Sequence, residues 1–168
     1  MHNFFDLVDK RAGWITLSVS AFVLFGAALY FQHVMNLQPC VMCIEERMLM
    51  LSLALISLLP IIKPTFTPLR ILGYLGVMFI SYIGFDLAQE HVVIQKGEEL
   101  IFAGCSIFPR VPEWLPLHQW LPSLFMPTGN CGDISWTFAG HSMVEWVRNI
   151  FAFYFALPVL MLLGRRKL

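Results

Sequence analysis

Apolar residues run along this chain in four long blocks, at about 14–31, 44–62, 71–87 and 144–163. Within each block they are continuous rather than alternating, which predicts helices apolar on every side and not the strands of a barrel. Each block is close to the ~20 residues that carry an α-helix across a ~30 Å hydrocarbon layer. In that layer every backbone N–H and C=O must be paired, and a helix pairs them within itself. Gly73, Gly76, Ser81 and Gly84 give the third block a small-residue stripe suited to close helix contact. The first block exceeds the ~7–15 residues of a signal-peptide core and is read as a retained span. The expected fold is one all-α membrane domain over 1–168, a bundle of four transmembrane helices.

Composition strengthens that reading. Hydrophobic residues make up 58 % of the 168 residues and charged residues 13 %, against about 25 % charged in an ordinary soluble domain. So few charges cannot cover a surface facing water. The formal net charge is zero, and no basic stripe favours nucleic acid.

Basic residues set the orientation. Lys10, Arg11, Lys63, Arg70, Arg165, Arg166 and Lys167, seven of the eleven, fall on one side. Arg47, Lys96, Arg110 and Arg148 fall on the other, whose long segment also holds Glu90, Glu98, Glu99, Glu113 and Asp133. Both termini are expected in the cytoplasm. Segments of about 32–43 and 88–143 then face outward, which is into the periplasm if the cell is a Gram-negative bacterium. Five prolines between 107 and 127 forbid a long helix in the second segment. One short helix between Pro116 and Phe125, with Trp114, Leu117, Trp120, Leu121, Leu124 and Phe125 as its apolar side, is expected to lie in the headgroup region.

All four cysteines fall on the outer side, where disulfides persist. Cys40 and Cys43 form a C-x-x-C at the start of the second block, after Pro39. A helix N-terminus carries partial positive charge and unpaired N–H groups that stabilise a thiolate. Arg47, four residues after Cys43, lies on the same helix face one turn deeper. Its plain reading is a cation that snorkels to the interface, as expected for the adjacent Glu45 and Glu46. Cys105 and Cys131 are 26 positions apart. That separation disfavours a zinc site of two close pairs, and no βαβ context supports a thioredoxin-type motif. A structural staple and a redox pair both remain open for Cys105 and Cys131. They are expected on flexible arms flanking an anchored middle. His91, beside Glu90 at the outer end of the third block, reads as a solvated interface residue or as a hydrogen-bond donor to a ligand near Arg47.

These residues together resemble the disulfide bond formation protein B (DsbB) family. The resemblance rests on Gln32-His33-Val34-Met35, Pro39-Cys40-Val41-Met42-Cys43-Ile44 with Glu46-Arg47, Glu90-His91, and Pro112-Glu113-Trp114-Leu115-Pro116-Leu117. It covers essentially the whole chain and departs at Glu45, where the family often carries an aromatic residue. The resemblance implies a four-helix bundle in the bacterial inner membrane and a relay of electrons. A DsbA-like periplasmic thioredoxin-fold partner would reduce a Cys105–Cys131 disulfide, with Cys105 forming the mixed disulfide. The pair Cys40 and Cys43 would pass the electrons to ubiquinone or menaquinone, with Arg47 and His91 at the quinone. An oxidase dedicated to one specialised partner and a stapled membrane scaffold are the alternatives.

The charge asymmetry makes a topological prediction. A reporter that works only in the cytoplasm, fused after Leu168, is expected to be active, whereas the same reporter inserted near Asp133 is expected to be silent.

Overall fold

Proline placement decides how the apolar blocks become helices. The computed structural model describes residues 11–63, 65–97 and 117–165. Helix α1 covers Arg11–His33. Helix α2 covers Val41–Ile56, and a single turn, α3, covers Leu59–Ile62. The second block is therefore broken rather than continuous to 62. Pro60 has no N–H to donate, and in a continuous helix its ring would clash with the carbonyl of the residue four before it, which is Ile56, the last residue of α2. Helix α4 runs over Thr67–Gln95, two turns past the expected end near residue 87. Helices α5 (Leu117–Trp120) and α6 (Pro122–Phe125) are single turns. The one short helix expected between Pro116 and Phe125 is thus divided. Leu121 precedes Pro122 and is driven out of the helical region to φ −134°, ψ 66°. Helix α7 covers Met143–Arg165 and continues through Pro158.

Three of these helices, α1, α4 and α7, are long and apolar enough to cross a membrane. Their outward surfaces carry Val19, Val23, Leu75, Phe79, Phe153 and Leu160, all exposed, as a lipid-facing surface requires. The interior holds small and polar groups. Ser18 donates from Oγ to the Ala54 carbonyl at 2.9 Å, and Ser20 Oγ and Tyr154 Oη lie 2.7 Å apart. Such bonds tie α1 to α2 and to α7 where no water is available.

The main core joins Ala21 of α1, Met50, Leu53 and Ala54 of α2, and Phe151 and Tyr154 of α7, with Ile80 of α4 packed against it. The most extensive helix pairing is α4 on α7. The small-residue stripe on α4 makes that approach possible. A Cβ added to Gly84 would strike the Phe151 ring of α7, and on the side of α3 one added to Gly73 would strike Pro60. Outside the bundle a short antiparallel hairpin, β1 (Thr137–Phe138) and β2 (His141–Ser142), pairs Phe138 with His141. Its turn uses Ala139 and Gly140 with φ of 52° and 81°, the positive-φ pair that two-residue hairpins favour.

Overpacking at the α4–α7 contact is expected to cost about 1–3 kcal/mol in Gly84→Ala. Unfolding in mixed detergent micelles should show that loss, and Phe151→Leu in the same chain should restore part of it.

Candidate active site

The backbone just before α2 builds the site. Cys40 is the N-cap of α2, in extended conformation, and its Sγ accepts from the Cys43 N–H at 3.2 Å. A thiol thus fills the place usually taken by a hydroxyl or carboxylate. The same geometry brings Cys40 Sγ to 2.9 Å from Cys43 Sγ, and both cysteines are free thiols. Cys40 is buried, while Cys43 is only half-buried.

His91 reaches this pair from α4. Its Nε2 lies 3.5 Å from Cys40 Sγ, and its Nδ1 lies 2.9 Å from Glu46 Oε1. The imidazole is 1 % exposed. His91 is therefore no solvated interface residue. The two extra turns of α4 carry it inward, onto the thiols. Glu45 and Glu46 are buried as well, so neither snorkels outward as expected. Glu46 turns inward because His91 gives its carboxylate a partner inside the bundle.

Arg47 is also buried, one turn below Cys43. Its Nη1 donates to Gln32 Oε1 and, at 2.8 Å, to the Leu124 carbonyl, and its Nη2 donates to the Ala28 carbonyl at 3.5 Å. The guanidinium thus ties α1, α2 and α6 together instead of snorkelling. Its Nε is buried with no hydrogen-bond partner among the described residues.

Residues 128–131 close over the Cys40–Cys43 pair. Thr128 and Gly129 donate their N–H groups to the Pro39 carbonyl at 2.9 and 3.0 Å. A Cβ on Gly129 would collide with the Gln38 carbonyl oxygen. This seam seats Cys131 in a buried cluster with Cys40 and Met42, beside Cys43, Leu87 and Ile94. Cys131 is disulfide-bonded. The expectation that it rides on a free arm is therefore corrected at this end, because the backbone bonds to Pro39 fix it against the C-x-x-C. Cys105 and Trp114 lie outside the described residues.

Cys40, Cys43, Glu46, Arg47 and His91 all border one cavity of about 360 Å³. Its remaining wall is largely apolar and aromatic, with Leu24, Phe25, Phe31, Met50 and Ile150 among its residues. The size falls within the ~300–1,000 Å³ of small-molecule sites, which combine apolar walls with a few polar groups. Glu45, the departure from the family pattern, does not border it.

A family profile described as disulfide bond formation protein DsbB matches residues 10–161. The chain belongs to the DsbB family. It is 42 % identical over 164 residues to disulfide bond formation protein B of Histophilus somni, covering 98 % of this chain and 92 % of that one. It is 40 % identical to the protein of the same name from Shewanella sp. strain MR-4, covering 95 % and 94 %. Membership in the DsbB family makes the chain a membrane protein of disulfide bond formation, with a disulfide-forming oxidoreductase role. The gathering of Cys40, Cys43 and Cys131 in one buried cluster suits that chemistry.

Glu46 and Gln32 were not singled out as site residues from sequence. One signal pointed to Glu46: an ionisable residue inside an apolar block is a functional candidate by default.

The seam predicts an order of thiol reactivity. Iodoacetamide should label half-buried Cys43 before buried Cys40 in the reduced protein. Gly129→Ala, by lifting residues 128–131 from Pro39, should accelerate Cys40 labelling several-fold, as read by peptide mass spectrometry.

Proposed function

We propose that this DsbB protein reoxidises a DsbA-like periplasmic partner and passes the electrons to a membrane quinone. One observation carries the reading: two thiols 2.9 Å apart border an apolar cavity that also holds Arg47, whose buried Nε has no partner among the described residues. A flat apolar ring with carbonyl oxygens suits such a cavity, since an oxygen can take the free Nε–H and the ring can lie against Phe25, Phe31 and Met50. Arg47 and Cys43 would hold it. Bound quinone supplies a two-electron, two-proton acceptor in the lipid phase. DsbA is a strong oxidant, at about −120 mV, so its reoxidation calls for a stronger acceptor still.

In this scheme the reduced partner's thiolate attacks the Cys105–Cys131 disulfide. Cys105 takes the mixed disulfide and Cys131 leaves as a thiolate. Cys131 is seated against Cys40 and Met42, which gives thiol–disulfide exchange between the two pairs a short path. Closing the Cys40–Cys43 disulfide releases two electrons and two protons. His91 Nε2, 3.5 Å from Cys40 Sγ and held from behind by Glu46, is placed to take the Cys40 proton. His91 thereby serves the thiols as well as bordering the quinone cavity. The four-span count, with α2 and α3 together as the second crossing, the inner-membrane location, the cytoplasmic termini and the outward cysteines belong to the same proposal.

Purified protein is expected to reoxidise reduced DsbA only when quinone is present, with Cys43→Ser abolishing turnover. Full quinone-dependent turnover in Cys43→Ser would contradict the scheme. Arg47→Ala should raise KM for quinone about tenfold or more and change KM for DsbA far less, and equal effects on both would count against a quinone role for Arg47.

A further inference from the structure

The grouping of two thiols and one imidazole has a property that redox chemistry alone does not use. Cys40 Sγ, Cys43 Sγ and a His91 ring nitrogen lie within 4.8 Å of one another. His91 turns Nε2 toward the sulfurs and bonds Glu46 through Nδ1. Histidines that ligate metals characteristically hold a carboxylate at the other ring nitrogen, which fixes the tautomer and aims the free lone pair. We propose that the reduced C-x-x-C and His91 form a site for one zinc ion, with Glu46 positioning His91.

The distances support this arrangement. Zinc binds sulfur at ~2.3 Å and nitrogen at ~2.0–2.1 Å in tetrahedral geometry, which sets a nitrogen–sulfur separation of roughly 3.6 Å. The observed Nε2–Sγ separation at Cys40 is 3.5 Å. The same geometry asks for a sulfur–sulfur separation of roughly 3.8 Å. The thiols stand at 2.9 Å, so the sulfurs must part by just under ~1 Å, within reach of a rotation of the half-buried Cys43 side chain. The fourth position opens on the cavity, which gives water a place and the ion a route. Two thiolates neutralise the ion, so neighbouring Arg47 opposes no net charge. The balance involves no electron transfer: two thiol protons leave, two Zn–S bonds and one Zn–N bond form, and the disulfide state has no thiolates to offer. In sequence, His91 stands 48 residues from Cys43 and shows no ligand spacing. The fold supplies it.

Full-length protein in detergent, reduced with a phosphine, is to be titrated with zinc against a chromogenic chelator. One tightly held zinc per chain is expected in the reduced protein and none in the oxidised protein. Zinc should protect Cys40 and Cys43 of the wild-type chain from iodoacetamide, a readout that needs no variant. Glu46→Gln should weaken binding ~10–100-fold, with His91→Ala and Cys43→Ser more damaging. Equal uptake by both redox states, labelling of Cys40 and Cys43 unaffected by zinc, or binding that survives Cys43→Ser but not Cys131→Ser overturns the site. The consequence, arrest of turnover by zinc, rests on the redox reading proposed above. Tight zinc binding without arrest would contradict that reading and leave the site intact, whereas quinone-dependent turnover without zinc binding would do the reverse.

Discussion

A guanidinium cannot be neutralised by losing its proton, so Arg47 one turn inside an apolar bundle must find its partners within the protein. It takes them from three places: Gln32 Oε1 and the Ala28 carbonyl on α1, and the Leu124 carbonyl on α6. These bonds decide more than the comfort of one charge. They hold the Gln32 end of α1 against α2, and they draw α6 down onto the bundle. From there the chain runs directly to Thr128 and Gly129, which bond Pro39, and then to Cys131. The position of Cys131 beside Cys40 and Met42 thus follows from how the bundle satisfies Arg47.

The same rule explains the remaining polar interior. Glu46 and His91 are buried because each completes the other. Gln95 donates to the Asp133 carbonyl at 3.1 Å and accepts from Ser142 Oγ at 3.0 Å, fastening the start of the hairpin region to α4. Each of these pairs joins segments far apart in sequence, and each lies at the end of the bundle that carries the thiols. At the opposite end Arg11 Nε donates to the Ile61 carbonyl at 3.0 Å, and Trp14 lies edge-on to Tyr74 at 4.9 Å between ring centroids. The polar ties near the thiols keep Cys40, Cys43 and His91 fixed where they border an open cavity.

Much of this was legible in the sequence, and the parts that were not share a cause. Continuous apolar runs announce membrane helices because lipid-facing residues are apolar on every turn. Cys40, Cys43 and Arg47 were legible because local helix geometry relates them. The end of α4 was misplaced because Gln89, Glu90 and His91 read as the start of a loop, whereas Gln89 and His91 have partners inside the protein, Arg148 and Glu46. The Glu46–His91 pair was invisible because 45 positions separate its members. The hairpin was missed because two-residue strands carry no period. Pro60 signals the break after Ile56, yet Pro158 carries the same signal inside the unbroken α7, so proline alone does not separate the two cases.

The central claim is that the C-x-x-C empties its electrons into a lipid-borne quinone. Trapping the thiols of the protein in cells unable to make quinone tests it most directly. The account predicts that reduced cysteines accumulate in this chain, with Cys40 and Cys43 both alkylated. All four cysteines remaining oxidised under that block would contradict it and would point to a stapled membrane scaffold.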